Sequence, residues 1–283
     1  MNLDKYPWLV DLSSPEAGIA IEQAKKLFEQ TGAVTFPEFL TKTALESCVQ
    51  EASNQEDEAF TTDDTHTAYL RPVDPAFDSK SVRNHDMRTQ VASIAFDEIP
   101  KESELAAVYR NPLLRQLVAR IVRKDELFLS DDPLGCCSIN VFRPGSHHSF
   151  HFDESEFSTT LMLQEASTSG TGLFQHTNPL RQQPEDLALQ SVASAIVTYD
   201  SSMQVHFHEL ESNKGSSSAV PPLHTLEFVP GTLSIFTGSK SLHRVTKVEG
   251  NCSRLTAILT FASKPGFRNS PAIQKLFWGR SVP

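Results

Sequence analysis

A succession of short apolar segments between about residues 127 and 262, which Gly and Pro interrupt, constrains the fold more than any other feature. Eight of these segments have the apolar and β-branched content of strands. They are LFLS, CCSINVFRPG, FSTTLMLQ, TGLFQHT, HTLEFV, GTLSIFTG, SLHRVTKV and RLTAILTFA. Helical patterns come first, at 15–31 after a Ser-Pro start signal and at 112–124 with an apolar stripe. Helices followed by many antiparallel strands predict a mainly β fold: a double-stranded β-helix (jelly roll, cupin-like) with a flanking helical layer.

The chain has 283 residues, enough to bury one large core, and shows neither repeats nor a separating linker. We therefore predict a single domain over 1–283, with a helical part at about 1–125 and the jelly-roll core at about 126–265. A helix-like insert at 184–200 and a Ser-rich stretch at 212–222 interrupt the strands. The polar, acidic stretch 54–90 lacks sustained periodicity and is interpreted as a long loop or lid.

Charge and composition exclude several classes of partner. The formal charge is -10, from 35 acidic and 25 basic residues, so the long-range field repels nucleic acid and anionic lipid. No apolar run approaches the ~20 residues that span a bilayer. The N-terminus lacks the features of a secretory signal, and the four Cys residues show no CxxC spacing. These features indicate a cytoplasmic protein with free thiols.

The segment HHSFHFDESEF, residues 147–157, concentrates three His and three acidic residues after a Pro-Gly turn. Along a strand, residues i and i+2 share a face, so His151 and Asp153 present an imidazole and a carboxylate together while Phe152 faces away. His243, which begins a later strand segment, is the best-placed third ligand. Two His and one carboxylate form the facial triad of non-haem Fe(II) oxygenases.

An HxD pattern taken by itself is more typical of a solvated polar loop than of a metal site. Arg254, eleven residues after His243 on the next predicted strand, strengthens the metal interpretation because a guanidinium can grip a dicarboxylate with two hydrogen bonds. Thr256 shares the face of Arg254 and offers a hydroxyl, and Asn140 is a further candidate contact for that co-substrate.

A rival metal site is conceivable in VHFHEL, where His206 and His208 share a strand face beside Glu209. No Arg follows this pair at the corresponding distance. The pair is therefore interpreted as part of an exposed strand.

The order HxD, distant His and then Arg resembles the Fe(II)/2-oxoglutarate-dependent oxygenase superfamily, whose fold is a double-stranded β-helix. Several segments, including LFLSDDPLGCCSINVFRPGSHHSFHFDESEFSTTLMLQ, EFVPGTLSIFTGSKSLHRVTKVEG and the terminal FWGR, are similar to the group of free-amino-acid halogenases and hydroxylases. The likeness extends over roughly residues 95–280.

The resemblance implies Fe(II), 2-oxoglutarate as co-substrate and O₂, with succinate and CO₂ released. In the halogenases of this group a Gly replaces the carboxylate ligand and leaves a coordination site for chloride. Position 153 is Asp here, so the resemblance implies hydroxylation, desaturation or cyclisation of an amino acid rather than halogenation.

The resemblance also assigns substrate contacts. His148 and Glu154 correspond to contacts of the amino-acid head group, and Arg88 and Trp278 to candidates for the substrate carboxylate. Thr260 is placed in the same pocket. For the last three, structural roles are equally plausible: a surface ion pair for Arg88, a core position for Trp278 and an ordinary strand position for Thr260.

The loop DDPLGCC offers Pro133 and Leu134 where members that act on lysine would need an acid, so an aliphatic L-amino acid is favoured. Two alternatives remain open. One is an oxygenase of a larger metabolite or a protein side chain, and the other is a jelly-roll binding protein without catalysis. Arg254 argues against the second, since a structural metal site needs closed coordination and no clamp for a dicarboxylate.

Overall fold

The computed structural model describes residues 1–182, 185–200, 207–210, 220–226 and 229–282. The α-helices are α1 (Pro15–Thr31), α2 (Lys42–Ser53), α3 (Glu104–Arg110), α4 (Pro112–Ile121), α5 (Glu185–Tyr199) and α6 (Pro271–Trp278). The strands are β1 (Ala33–Phe36), β2 (Phe60–Thr67), β3 (Asp86–Ile94), β4 (Phe128–Leu129), β5 (Cys137–Phe142), β6 (His147–His151), β7 (Ser158–Gln164), β8 (Phe174–Thr177), β9 (Leu223–Thr225), β10 (Leu233–Phe236), β11 (His243–Val245), β12 (Arg254–Leu259) and β13 (Phe261–Ala262). Short 3₁₀ helices lie at Pro7–Val10, Glu56–Glu58, Val82–Asn84, Phe96–Glu98 and His208–Leu210.

One long antiparallel sheet curls around the site, with strand order β1-β10-β7-β12-β5-β3-β6-β11-β8-β9 and β2 paired to β3. Strand β3 joins its two halves, because Ala92–Ile94 pairs with β5 while Thr89 and Gln90 pair with β6. The major half (β1, β10, β7, β12, β5) and the minor half (β6, β11, β8, β9) form the two layers of a jelly roll. This mainly β architecture confirms the predicted fold class.

The helices cover the outer faces of these two layers. Residues of α1, α2, α3 and α4 join the major half in the largest apolar core. Helix α5 packs on the minor half in a second core that includes Val192, Ile196, Phe150 and Phe152. The outer face of each layer is therefore buried against helices, and the inner faces of the two layers enclose the site. Each of the eight predicted strand segments overlaps a strand of the structure.

The interpretation of 54–90 as one long loop was wrong. Within it, β2 pairs along its length with β3, from Phe60↔Ser93 to Thr67↔Asp86, and only 68–85 connects them. Strand β2 has one exposed face that is rich in Asp and Thr, so its sequence lacks the apolar alternation that marks a half-buried strand. No helix among the described residues has the length and apolar character to cross a bilayer.

A buried carboxylate fixes the C-terminal segment to the sheet. Asp132 is fully buried and accepts hydrogen bonds from the backbone N–H groups of Leu134 (2.9 Å), Gly135 (3.1 Å) and Asn269 (2.9 Å) and from Gln274 Nε2 (3.0 Å). Burial opposes ionisation of Asp132, but these four donors outweigh it and hold its pKa below the ordinary value. The carboxylate therefore ties α6 to the loop before β5.

We expect Asp132→Ala to lower the free energy of unfolding by about 3 kcal/mol at neutral pH, because four donors lose a charged acceptor. The measurement is urea unfolding. Because the pKa of Asp132 is depressed in the folded state, its contribution to stability is present above the unfolded pKa of about 3.9 and is lost at lower pH. The difference in unfolding free energy between wild type and Asp132→Ala should therefore narrow as the pH falls.

The neighbouring Asp131 has an exposed side chain and provides the matched control. Asp131→Ala should change the unfolding free energy by less than about 0.5 kcal/mol. Equal effects of the two substitutions would contradict the anchoring role of Asp132.

Candidate metal centre and cavity

Strand β6 brings two of its histidines to one side through a β-bulge. His151 pairs with His243 and His148 with Val245, so three steps along β6 oppose two steps along β11. A bulge redirects side chains, and here His148 and His151 both line the same cavity although their spacing would place them on opposite faces of a regular strand. Phe150 and Phe152 face the second core instead.

The pairing of β6 with β11 assembles the predicted triad. Ligand atoms of His151, Asp153 and His243 all lie within 4.8 Å of one another. Asp153 Oδ1 is 3.5 Å from His151 Nε2 and 3.3 Å from His243 Nε2. No other comparable group of His, Cys, Asp or Glu occurs in the described ranges.

The tautomers of both imidazoles suit metal binding. His151 Nδ1 lies 2.7 Å from the carbonyl oxygen of Ser149, and His243 Nδ1 lies 3.0 Å from that of Ser241. A carbonyl oxygen only accepts, so each Nδ1 carries the proton and each Nε2 keeps a lone pair directed at Asp153. Burial lowers the pKa of His151 to about 4, which keeps this imidazole neutral at physiological pH.

Two hydrogen bonds and close packing against Gly238 hold Asp153, the third candidate ligand, in place. The Ser158 hydroxyl donates to Asp153 Oδ2, and the Asp153 backbone N–H donates to the carbonyl of Gly238 at 3.0 Å. Burial by itself would raise the pKa of Asp153, but the neighbouring imidazoles of His243 and His151 hold it well below its ordinary value. Gly238 is needed for this packing, since a Cβ there would lie 2.2 Å from Asp153 Oδ2.

A compact cluster of imidazoles supports the triad. The rings of His148 and His151 stack at 3.6 Å, and His66 meets both rings edge-on at 5.8 and 6.3 Å. His66 is held by the Thr67 carbonyl (2.8 Å) and by Thr89 Oγ1 (2.6 Å). Burial lowers the pKa of His66 and holds that of His148 well below the ordinary value, so both rings are neutral.

The triad lies in a cavity of about 190 Å³ between the two halves of the sheet, which we call the inner cavity. The residues that line the inner cavity include the three triad residues, the three residues predicted to bind the co-substrate and four of the five predicted to bind the substrate. These are His151, Asp153 and His243; Arg254, Thr256 and Asn140; and His148, Glu154, Trp278 and Thr260. Phe174, Phe236, Phe267 and Phe277 supply much of its apolar wall.

Arg254 lies on β12 with 2 % of its surface exposed, and its guanidinium stacks over Phe142 with Cζ 5.0 Å from the ring centre. Burial lowers the pKa of Arg254 to about 9, and a bound carboxylate would offset that desolvation. Thr256 pairs with Asn140 across the β12–β5 ladder, and Ser93 Oγ donates to Asn140 Oδ1 at 3.3 Å. The cavity wall therefore carries a fixed cation beside polar side chains.

The remaining substrate candidates differ in what they can still bind. In the described part of the chain, Trp278 Nε1 and His148 Nε2 are buried and have no hydrogen-bond partner. The Thr260 hydroxyl already donates to the Gly135 carbonyl at 2.9 Å. Glu154 is exposed at the edge of the cavity. Two polar groups thus face the cavity with unused hydrogen-bonding capacity.

The structure does not bring Arg88 to the inner cavity. Its side chain is 62 % exposed and makes two hydrogen bonds of 2.9 Å with Asp63 on β2. The alternation of β3 explains this position, because the next residue, Thr89, faces inward to His66. The surface ion pair that the sequence left open is what the structure shows for Arg88.

Two other expectations concern the loop DDPLGCC and the rival metal segment VHFHEL. Pro133 and Leu134 were expected at the pocket wall, but neither lines the inner cavity, and nor do Asp131 and Asp132. Leu134 instead packs with Trp278 in a small apolar cluster. In the rival segment, His206 lies outside the described residues. Glu209 there accepts hydrogen bonds from Ser81 Oγ and the Val82 backbone N–H, which are structural contacts.

Sequence reasoning missed several residues that shape the site, among them Ser158, Gly238, His66 and Leu70. Each becomes part of the site through tertiary pairing, and no local pattern marks Ser158, His66 or Leu70. A signal existed only for Gly238, which ends the segment GTLSIFTG just before the strand of His243.

Comparison with known proteins identifies the fold. The chain matches no known family profile and no curated protein sequence. The non-haem α-ketoglutarate-dependent carbocyclase SnoK from nogalamycin biosynthesis is similar with a TM-score of 0.55 at 12 % identity, covering 93 % of each chain. The epimerase SnoN of the same biosynthesis is similar with a TM-score of 0.54 at 11 % identity, covering 87 % of this chain and 84 % of SnoN.

A second SnoN structure, in complex with Fe³⁺, α-ketoglutarate and nogalamycin RO, has a TM-score of 0.52 at 10 % identity. It covers 85 % of this chain and 83 % of SnoN. The fold is therefore shared with non-haem α-ketoglutarate-dependent enzymes, α-ketoglutarate being 2-oxoglutarate.

We expect Gly238→Ala to weaken metal binding by about 10- to 100-fold, because the added methyl group displaces the Asp153 carboxylate. Calorimetric titration of the apoprotein with Co(II) measures the affinity. Gly18→Ala on α1 is the control, since a Cβ added at Gly18 would have no neighbouring atom within 4 Å. Unchanged Co(II) affinity in a folded Gly238→Ala protein would contradict this role of Gly238.

Proposed function

We propose that this protein is an Fe(II)- and 2-oxoglutarate-dependent dioxygenase that oxidises a free, aliphatic L-amino acid. The observation that carries the proposal is the convergence of two imidazole Nε2 atoms and one carboxylate in a cavity that Arg254 also lines. The fold shared with SnoK and SnoN supports it.

The donor set fits Fe(II). The imidazoles of His151 and His243 and the carboxylate of Asp153 would hold Fe(II), and this donor set would leave positions on the metal for the co-substrate and O₂. The backbone acceptors on both Nδ1 atoms and the Ser158 hydroxyl on Asp153 fix the direction of each ligand. When bound, Fe(II) with 2-oxoglutarate and O₂ supplies hydrogen abstraction, and 2-oxoglutarate is oxidised to succinate and CO₂.

Arg254 is proposed to bind the distal carboxylate of 2-oxoglutarate through its planar guanidinium, with Thr256 and Asn140 as further contacts. Its burial supports the assignment, because a carboxylate held away from water interacts strongly with a fixed cation. Phe142 beneath the guanidinium restricts its orientation. The residues hold the co-substrate, and the aromatic wall excludes water from it.

The substrate end of the inner cavity supports a small amino acid. A volume of about 190 Å³ is below the range of roughly 300–1,000 Å³ common for ligand pockets. Trp278 Nε1 is proposed to donate to the substrate carboxylate and Glu154 to accept from its ammonium group, with His148 beside them. Thr260 is proposed as a wall residue, while Arg88 has no part in this assignment.

An aliphatic side chain suits the apolar residues around the rest of the cavity. Ile273, Phe267 and Phe277 surround it, and the two acids of the loop before β5 lie elsewhere. The similarity of the motifs to free-amino-acid halogenases and hydroxylases supports the substrate class, and Asp153 favours oxidation over halogenation. We further propose a cytoplasmic location, which four free cysteines support.

The test is anaerobic titration of the Fe(II)-loaded protein with 2-oxoglutarate, followed by O₂ and a panel of free L-amino acids. Succinate coupled to one amino acid, with a mass gain of one oxygen or a loss of two hydrogens, is the expected result. The Asp153→Ala and His243→Ala proteins should form no succinate. Succinate without dependence on amino acids would instead support a larger substrate, and absence of a charge-transfer band would support a binding protein.

We expect Arg254→Lys to raise the dissociation constant of 2-oxoglutarate by about 10- to 100-fold, because an ammonium group keeps the charge but loses a bidentate hydrogen bond. Anaerobic titration of the charge-transfer band measures it. Arg244→Lys is the matched control, since Arg244 stacks on Phe150 and bonds Gln175 on β8. An equal loss of 2-oxoglutarate affinity in both variants would contradict the role of Arg254.

A further inference from the structure

A second, larger cavity of about 1,070 Å³ adjoins the inner cavity, and we call it the outer cavity. The two cavities share Asp153 and Glu154, so they meet beside the metal ligand. The outer cavity is lined by cations as well as aromatic rings, among them Arg83, Arg181, Lys240 and Tyr69. A substrate that extended past the metal centre would enter this space.

The turn 67–71 stands between the two cavities. Thr67, Tyr69 and Arg71 line the outer cavity, whereas Leu70 lines the inner cavity. The side chain of Leu70 therefore closes the inner cavity on the side where the outer cavity begins.

Hydrogen bonds and stacking hold this turn in place. The Leu70 N–H donates to the Thr67 carbonyl at 2.9 Å, and the Thr67 N–H and hydroxyl donate to the Arg71 carbonyl at 3.3 and 3.0 Å. The Phe152 N–H donates to the Ala68 carbonyl at 2.8 Å, and Tyr69 stacks on Phe152 at 5.4 Å. Phe152 directly precedes the ligand Asp153, so the turn and the metal centre are joined.

Leu70 itself adopts a left-handed backbone conformation, with φ of 53°. In the described part of the chain only two other non-glycine residues, Glu38 and Arg123, have positive φ, and neither lines the inner cavity. A leucine in this conformation costs about 1–2 kcal/mol, which the surrounding hydrogen bonds must offset. The strain is thus located where it directs one apolar side chain into the site.

We infer that Leu70 is a specificity-determining residue that limits the length of the substrate side chain by closing the inner cavity against the outer one. The inference rests on the proposed oxidation of an aliphatic amino acid and deepens it. Side chains that end before Leu70 fit the apolar wall, and longer ones collide with Leu70. Shortening Leu70 joins the two cavities and admits longer chains.

The experiment measures binding to the Fe(II)- and 2-oxoglutarate-loaded protein without O₂, through the change in the charge-transfer band. Two series are titrated: straight-chain L-amino acids of increasing length and straight-chain primary alcohols. The amino acids require head-group recognition, whereas the alcohols report cavity length alone. The proteins are wild type, Leu70→Ala, Leu70→Gly and Glu38→Gly.

In wild type, affinity should rise along each series and then fall once the chain reaches Leu70. Leu70→Ala removes three carbons, so the fall should come two or three methylenes later, with affinity gaining about fourfold for each methylene accommodated. Leu70→Gly should extend the limit similarly. Glu38 also has a left-handed backbone conformation but does not line the inner cavity. Glu38→Gly should therefore leave the length limit unchanged.

An unchanged length limit in both Leu70 variants would overturn the inference, as would failure of both series to perturb the band in every protein. A shifted limit for alcohols with no response to any amino acid would retain Leu70 as the closing residue and reject the amino-acid substrate. A shift in Glu38→Gly equal to that in Leu70→Ala would also overturn the role of Leu70.

Discussion

The antiparallel pairing of β6 with β11 is the interaction on which the site depends. It places His151 opposite His243, and the bulge within it turns His148 toward the same cavity. Each imidazole is then oriented by a backbone carbonyl two residues before it, so the ladder determines both the position and the tautomer of the ligands. The Ser158 hydroxyl and the space left by Gly238 hold Asp153, the third candidate ligand, in position.

Desolvation gives the two ends of the inner cavity different properties. Burial keeps the imidazoles of His66, His148 and His151 neutral, which suits metal binding, while it leaves the guanidinium of Arg254 in an environment that favours a carboxylate partner. Helical layers on both outer faces of the jelly roll exclude water from the sheet. The same fold therefore provides one end with neutral imidazoles beside the Asp153 carboxylate, where a metal is proposed to bind, and a cationic end at Arg254.

The proposed substrate side of the inner cavity is shaped by elements far apart in the chain. Helix α6 contributes Trp278, the β2–β3 connection contributes Leu70, and β6 with the loop after it contributes His148 and Glu154. Asp132 holds α6 against the loop before β5, so a buried structural carboxylate helps to position the indole that faces the cavity. Stability and the proposed substrate recognition by Trp278 are therefore coupled through this contact.

The sequence by itself determined the strand-rich architecture, since alternation and turn residues are local properties. It also indicated His151, Asp153, His243 and Arg254, because their spacing and order along the chain are visible without the fold. The search for apolar alternation failed to find β2 within 54–90, because β2 exposes a polar face and is recognisable as a strand only through its pairing with β3.

Only the tertiary structure decided which remaining candidates reach the cavity. It placed Arg88 in a surface ion pair, because the inward position on β3 belongs to Thr89. It added His66, Ser158, Gly238 and Leu70, whose roles arise from register, a bulge and a strained turn. These features depend on contacts between residues far apart in sequence, and no local pattern of residues specifies such contacts.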